Sequence, residues 1–115
     1  MRVNSVFLSI NADDFEAQTK WWETLIGRPF DRQPMPSCHE WSLRDSVIFQ
    51  VLEDMNELGK ATVTLHVDDL DAEISRLRAG GINAPDAERV EGFETLRFAS
   101  WKDPEGNTVG LLDGE

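Results

Sequence analysis

Ala61-Thr62-Val63-Thr64-Leu65-His66-Val67-Asp68-Asp69-Leu70-Asp71 decides the fold. Val63, Leu65 and Val67 alternate with Thr62, Thr64 and His66, the period of two expected of a strand buried on one face. The period then lengthens. Leu70, Ile74 and Leu77 share one helical face, Asp68-Asp69 supplies the cap, and Gly80-Gly81 stops the helix. The same order stands earlier in the chain. Val6, Leu8 and Ile10 alternate with Ser5, Phe7 and Ser9, and Phe15, Trp22 and Ile26 follow at helical spacing. Asp13 or Asp14 occupies the N-cap position, Gly27 ends the segment, and Pro29 prevents a restart. Laying Asp13-Asp14-Phe15 on Asp68-Asp69-Leu70 aligns the caps at an offset close to half the chain.

Each helix is followed by strand-like pieces: 29–33, 39–43 and 47–52 in the first half, 82–84, 95–101 and 108–112 in the second. Asp103-Pro104-Glu105-Gly106-Asn107 is a turn signal before the last of them. Both halves therefore read strand–helix–strand–strand–strand, which suggests an internal duplication. Each half leaves an apolar sheet face in need of cover. The expectation is an α+β fold in which two βαβββ modules form a curved, partly open barrel-like mixed sheet with helices outside. Residues 1–115 read as one domain, with modules at 1–55 and 60–115 joined through Glu53–Lys60.

The chain has 115 residues and a mass of 13.0 kDa, enough for a hydrophobic core without disulfides. Eleven Lys and Arg against 22 Asp and Glu give a formal net charge of -11, which argues against binding nucleic acid or an anionic membrane surface. Neutral or cationic small molecules fit this charge. Cys38 is the single cysteine and forms no disulfide within the chain, which fits a reducing cytoplasm. The apolar stretch Val6–Ile10 is too short for a secretory signal, and no stretch approaches the length of a membrane span. A cytoplasmic protein is expected.

Three motifs carry a family resemblance. They are Ser5–Ile10 leading to Trp21-Trp22-Glu23-Thr24-Leu25-Ile26-Gly27, then Val67-Asp68-Asp69-Leu70-Asp71, then Asp103-Pro104-Glu105-Gly106-Asn107-Thr108-Val109. In this order they resemble the vicinal oxygen chelate superfamily, also called the glyoxalase/bleomycin-resistance/dioxygenase fold. The resemblance implies paired modules around a U-shaped cleft, usually in a homodimer, and for the family's enzymes a divalent metal held by His and Glu. The matching slots here are Ser5, Gln50, Thr62 and Gly110. Neutral hydroxyls, one amide and no side chain make a poor donor set, so no metal and no other cofactor is expected.

His66 shares strand parity with Thr62 and Thr64 and is the candidate general base, although a strand-end histidine that is exposed or bonded to an aspartate such as Asp68 is the favoured reading. Cys38 and His39 are strand neighbours that point apart and form no dyad, so Cys38 reads as passive. Of the four tryptophans, Trp21 and Trp22 read as core. Trp41, Trp101 and Phe7 either line the cleft or belong to the core, and in the cleft they would stack on an aromatic ligand. The ligand set expected is Phe7, Trp41, Gln50, Thr62, Thr64, His66 and Trp101. The favoured reading is a metal-free binding protein that holds a hydrophobic, aromatic or cationic small molecule. The alternatives are a lyase, isomerase or dioxygenase with a displaced metal site, a metal-free catalyst using His66, and an interaction protein whose cleft its own side chains fill.

Overall fold

The computed structural model describes residues 2–55 and 60–115, and the chain divides into two compact units, residues 1–59 and 60–115. The expected joint at Glu53–Lys60 lies partly outside the described residues. The first unit runs β1 (Val6–Ala12), α1 (Phe15–Ile26), β2 (Arg32–Met35), β3 (Cys38–Arg44) and β4 (Val47–Glu53). The second runs β5 (Thr62–His66), α2 (Leu70–Ala79), β6 (Glu88–Arg89), β7 (Arg97–Lys102) and β8 (Thr108–Asp113). Each unit is one helix on a four-stranded mixed sheet, ordered β1-β4-β3-β2 and β5-β8-β7-β6. In each the first and last strands pair in parallel and the remainder antiparallel. Among the described residues the fold is α+β, and neither four-stranded sheet closes on itself as a barrel.

The caps form where the aspartates stand. The Asp14 side chain accepts from the Ala17 N–H at 3.1 Å, and Asp69 accepts from the Ala72 N–H at 3.1 Å. Gly27 closes α1 in the left-handed region, φ 94°, where a Cβ would be strained. Below α1 the alternate residues Ile10, Ala12, Trp41, Phe49 and Val51 are buried, with Trp22 set on Phe49 at a centroid distance of 4.4 Å. Below α2 the buried set is Val63, Ala99, Val109 and Leu111 against Leu70, Ile74 and Leu77.

Two strands lie elsewhere than expected. Residues 82–84 form no strand, because Gly81 (φ 91°) turns the chain and the Ile82 N–H bonds back to Leu77 O at 2.9 Å. Ile82 and Ala84 are apolar because they are buried beside α2, and the strand at this place in the order is the two-residue β6. In the first unit β2 starts at Arg32 rather than Pro29, since Phe30 stacks on His39 with centroids 3.9 Å apart instead of joining the sheet.

The turn before β8 is built by two buried side chains. Asp103 Oδ1 accepts from the Glu105 and Asn107 N–H groups, both at 2.9 Å. Asn107 Nδ2 donates to Asp103 Oδ2 at 2.8 Å, and Asn107 Oδ1 accepts from the Ala61 N–H at 2.8 Å. Asn107 thereby ties the turn to the start of β5. Asp113 does similar work at the far end of β8. It takes two hydrogen bonds from Arg97, at 3.1 and 2.7 Å, and one from the Leu70 N–H at 2.8 Å. Those hydrogen bonds, Arg97 first, hold its carboxyl below the usual range.

Candidate functional site

Each sheet has one face under its helix and one face left uncovered, and the register fixes what the uncovered face carries. On the second unit three rows cross the strands: Thr62–Thr108–Lys102, Thr64–Gly110–Ser100, and His66–Leu112–Phe98–Glu88. Gly110 sits in the middle row, between Thr64 and Ser100. A Cβ there would meet Thr64 Oγ1 at 3.4 Å, so the missing side chain leaves a pit. The pit holds about 250 Å³ and is lined by Thr62, Thr64, Phe98 and Leu112 around Gly110. A smaller depression of about 150 Å³, bordered by Pro85, Asp86 and Glu88, shares Phe98 and Ser100 with it.

The first unit carries a polar chain on its uncovered face instead. Ser9 Oγ donates to Gln50 Oε1 at 2.7 Å, and Gln50 Nε2 donates to Glu40 Oε2 at 2.7 Å. Glu40 Oε1 accepts from Arg32 Nε at 2.9 Å, and Arg32 also reaches Ser42 Oγ at 2.8 Å. Burial pushes the Glu40 carboxyl up, but the hydrogen bonds from Gln50 and Arg32 and the Arg32 charge outweigh it and leave its pKa lowered. The carboxylate stays ionised and spoken for.

These surroundings do not fit a divalent metal. Gln50 Oε1, the best donor among the four slots, already accepts from Ser9. Ser5 precedes β1 and stands four residues from Ser9, about 13 Å at strand rise. Thr64 rather than Thr62 lies opposite Gly110, and Gly110 offers no ligand atom. Among the described residues no three His, Cys, Asp or Glu side chains converge on a common point.

The expected ligand residues separate into three groups. Thr62 and Thr64 meet in the pit, and His66 stands at the end of its outer row, exposed, with Nε2 2.9 Å from the Gly114 carbonyl oxygen. Phe7 and Gln50 lie on the uncovered face of the first unit, Phe7 being 54% exposed. Trp41 and Trp101 lie on the faces that the helices cover. Trp41 is fully buried under α1 against Phe49, with Nε1 donating to Arg28 O at 3.1 Å. Trp101 stands opposite the buried Val109, on the face that α2 covers. Cys38 and His39 point to opposite faces, and burial, then the Glu40 charge, push the Cys38 thiol up. His39 is clasped between Phe15 and Phe30, with Nδ1 2.8 Å from Thr19 Oγ1. Phe98 and Ser100, which the sequence did not single out, line the pit, and they stand at the β7 parity opposite to that of Trp101.

The profile of the glyoxalase-like domain matches residues 6–112. The chain belongs to this family. It thus stands within the vicinal oxygen chelate superfamily, and no curated protein matches its sequence. Among solved structures, a glyoxalase/bleomycin resistance protein from Catenulispora acidiphila DSM 44928 is 25% identical, with a TM-score of 0.85 over 96% of this chain and 98% of that one. A lactoylglutathione lyase from Agrobacterium tumefaciens is 17% identical, with a TM-score of 0.74 over 95% and 92%. TnmS3, an antibiotic binding protein from Streptomyces sp. CB03234, is 21% identical, with a TM-score of 0.71 over 100% and 97%. The glyoxalase-like fold thus serves an enzyme and a binder alike, and side chains must decide between them.

Proposed function

We propose that this glyoxalase-like protein is a metal-free small-molecule binder that holds a hydrophobic, aromatic or cationic ligand on the uncovered face of the β5–β8 sheet. The pit at Gly110 carries the reading. It is concave, walled by Phe98, Leu112 and threonines, and it centres on Gly110, one of the four positions that the family resemblance matches to metal ligands. An apolar recess with a few hydroxyls suits retention of a ligand rather than its activation. TnmS3, an antibiotic binding protein of the same fold, supports this reading. Burial of aromatic ligand surface supplies the affinity, and the -11 net charge raises the local concentration of cations.

Homodimerisation in the cytoplasm belongs to the same proposal. Supporting it, β1 is an edge strand of its sheet with Val6, Phe7 and Leu8 all exposed, an apolar edge of the kind that pairing covers. Among the described residues no helix is long and apolar enough to cross a membrane. Native mass spectrometry of freshly purified protein tests the whole reading. The expected species is a dimer of the 13.0 kDa chain, without metal, that gains mass on addition of an aromatic ligand. A stoichiometric retained divalent metal overturns the metal-free assignment, and a ligand-refractory monomer overturns the rest.

A further inference from the structure

Resting on that binding reading, we infer that the pit selects a planar aromatic cation, with Glu88 as the residue that receives its positive end. Register places Glu88 directly across from Phe98 on the uncovered face, so the two Cβ atoms stand about 5 Å apart. Glu88 makes no ion pair or side-chain hydrogen bond among the described residues, whereas Asp86, beside it in the smaller depression, is held by Arg78 at 2.8 Å. The larger pit, at about 250 Å³, falls just short of the roughly 300–1,000 Å³ usual for small-molecule sites. The adjoining depression extends it through Phe98 and Ser100 toward the carboxylates.

The occupant is therefore a body plus a handle. A flat ring system fits over Gly110 with Phe98 as its wall, and its charged group reaches past Phe98 to Glu88. The opposite end of the face fixes the orientation. Lys102 stands four residues from Phe98 along β7, about 13 Å away, with its ammonium donating to Thr108 Oγ1 at 2.6 Å. It repels a cation from that end while Glu88 attracts one at the other. Arg89 stands opposite Arg97 in the register, on the alternate face of β6, so neither of these two cations shares the face of Glu88.

Fluorescence titration of the full chain with 9-aminoacridine, an aromatic cation, and 2-naphthol, a neutral aromatic, tests the assignment. Both should bind. Glu88→Gln should raise the 9-aminoacridine Kd about fivefold at low salt, the effect of one exposed charge pair, and leave 2-naphthol unchanged. Lys102→Gln should not weaken 9-aminoacridine. If both probes bind but Glu88→Gln leaves 9-aminoacridine unchanged, the cation assignment falls and the binding reading stands. If neither probe binds the wild-type chain, both fall together.

Discussion

Gly110 faces Thr64 across the parallel β5–β8 pair, and a methyl group placed on it would stand 3.4 Å from the threonine hydroxyl. The pit exists because a strand interior has accepted a glycine, which ordinarily weakens a strand. The cost falls on stability and the benefit is a concave face. Substituting this position separates the two.

Gly110 is not among the glycines with positive φ, so a side chain can be accommodated by its backbone. Gly110→Ala should raise stability by about 0.4–1 kcal/mol through the unfolded chain's lost freedom. That appears as a melting temperature higher by roughly 2–5 °C. Gly110→Val, whose branched side chain suits a strand, should leave the melt intact and abolish binding of aromatic probes. A binding curve that survives the valine would place the ligand elsewhere.

Asn107 predicts the opposite trade. It is 1% exposed and satisfies both Asp103 and the Ala61 N–H. Asn107→Ala removes the hydrogen bonds to Asp103 Oδ2 and from the Ala61 N–H inside a buried turn and should cost about 2–3 kcal/mol. Asn107→Asp should fare no better, since a second carboxylate beside Asp103 repels it. Because Ala61 leads directly into Thr62, either variant should also weaken ligand binding more than Tm alone explains. Urea titration beside a probe titration measures both.

Stability should fall in two stages on acidification. Burial lowers the His39 pKa below 6.5 despite the opposing pull of Glu23. The unfolded chain therefore takes that proton first, and stability declines as pH drops below about 6.5 toward the folded pKa. Glu40 and Asp113 have lowered carboxyl pKa values, so the stability they contribute is present above about 4 and is lost as pH falls through their folded values. Melting curves from pH 7.5 to 3 should show both declines. His39→Phe, which keeps a ring between Phe15 and Phe30, should remove the upper one only. An upper decline unchanged in that variant would assign it to another group.

Periodicity made most of the fold legible. Alternation in Val63, Leu65 and Val67, the capping aspartates and the Asp103–Asn107 turn all act as their chemistry dictates. Where the pattern misled, a second cause of apolarity was at work: Ile82 and Ala84 are buried without pairing in a sheet. The candidate site was legible only where parity was secure. Thr62 and Thr64 follow from β5 alone, because its three polar residues alternate with its core. Trp41 and Trp101 were ambiguous because an aromatic ring serves core and pocket equally, and register across three strands was needed to place them. The Ser9–Gln50–Glu40–Arg32 chain depends on four strands and leaves no local trace in the sequence.

The donor set gives the last prediction. Zn²⁺, Ni²⁺, Mn²⁺ and Fe²⁺ should leave the melting temperature unmoved. A native-state site filled at about 100 times its dissociation constant would add roughly 2.7 kcal/mol, a shift of several degrees that a chelator would reverse. The slots cannot supply it, since Gln50 Oε1 is engaged by Ser9 and Gly110 has no side chain to offer. Glu40 is the carboxylate beside Gln50, and Arg32 already neutralises it at 2.9 Å. Recruiting it to a metal would first break that pair. A chelator-reversible rise that disappears in Glu40→Ala or His66→Ala would show that the protein does so, and would move catalysis ahead of retention. A rise that disappears only in Cys38→Ala would instead mark thiol capture, which requires the buried Cys38 to become accessible and ionised against its raised pKa.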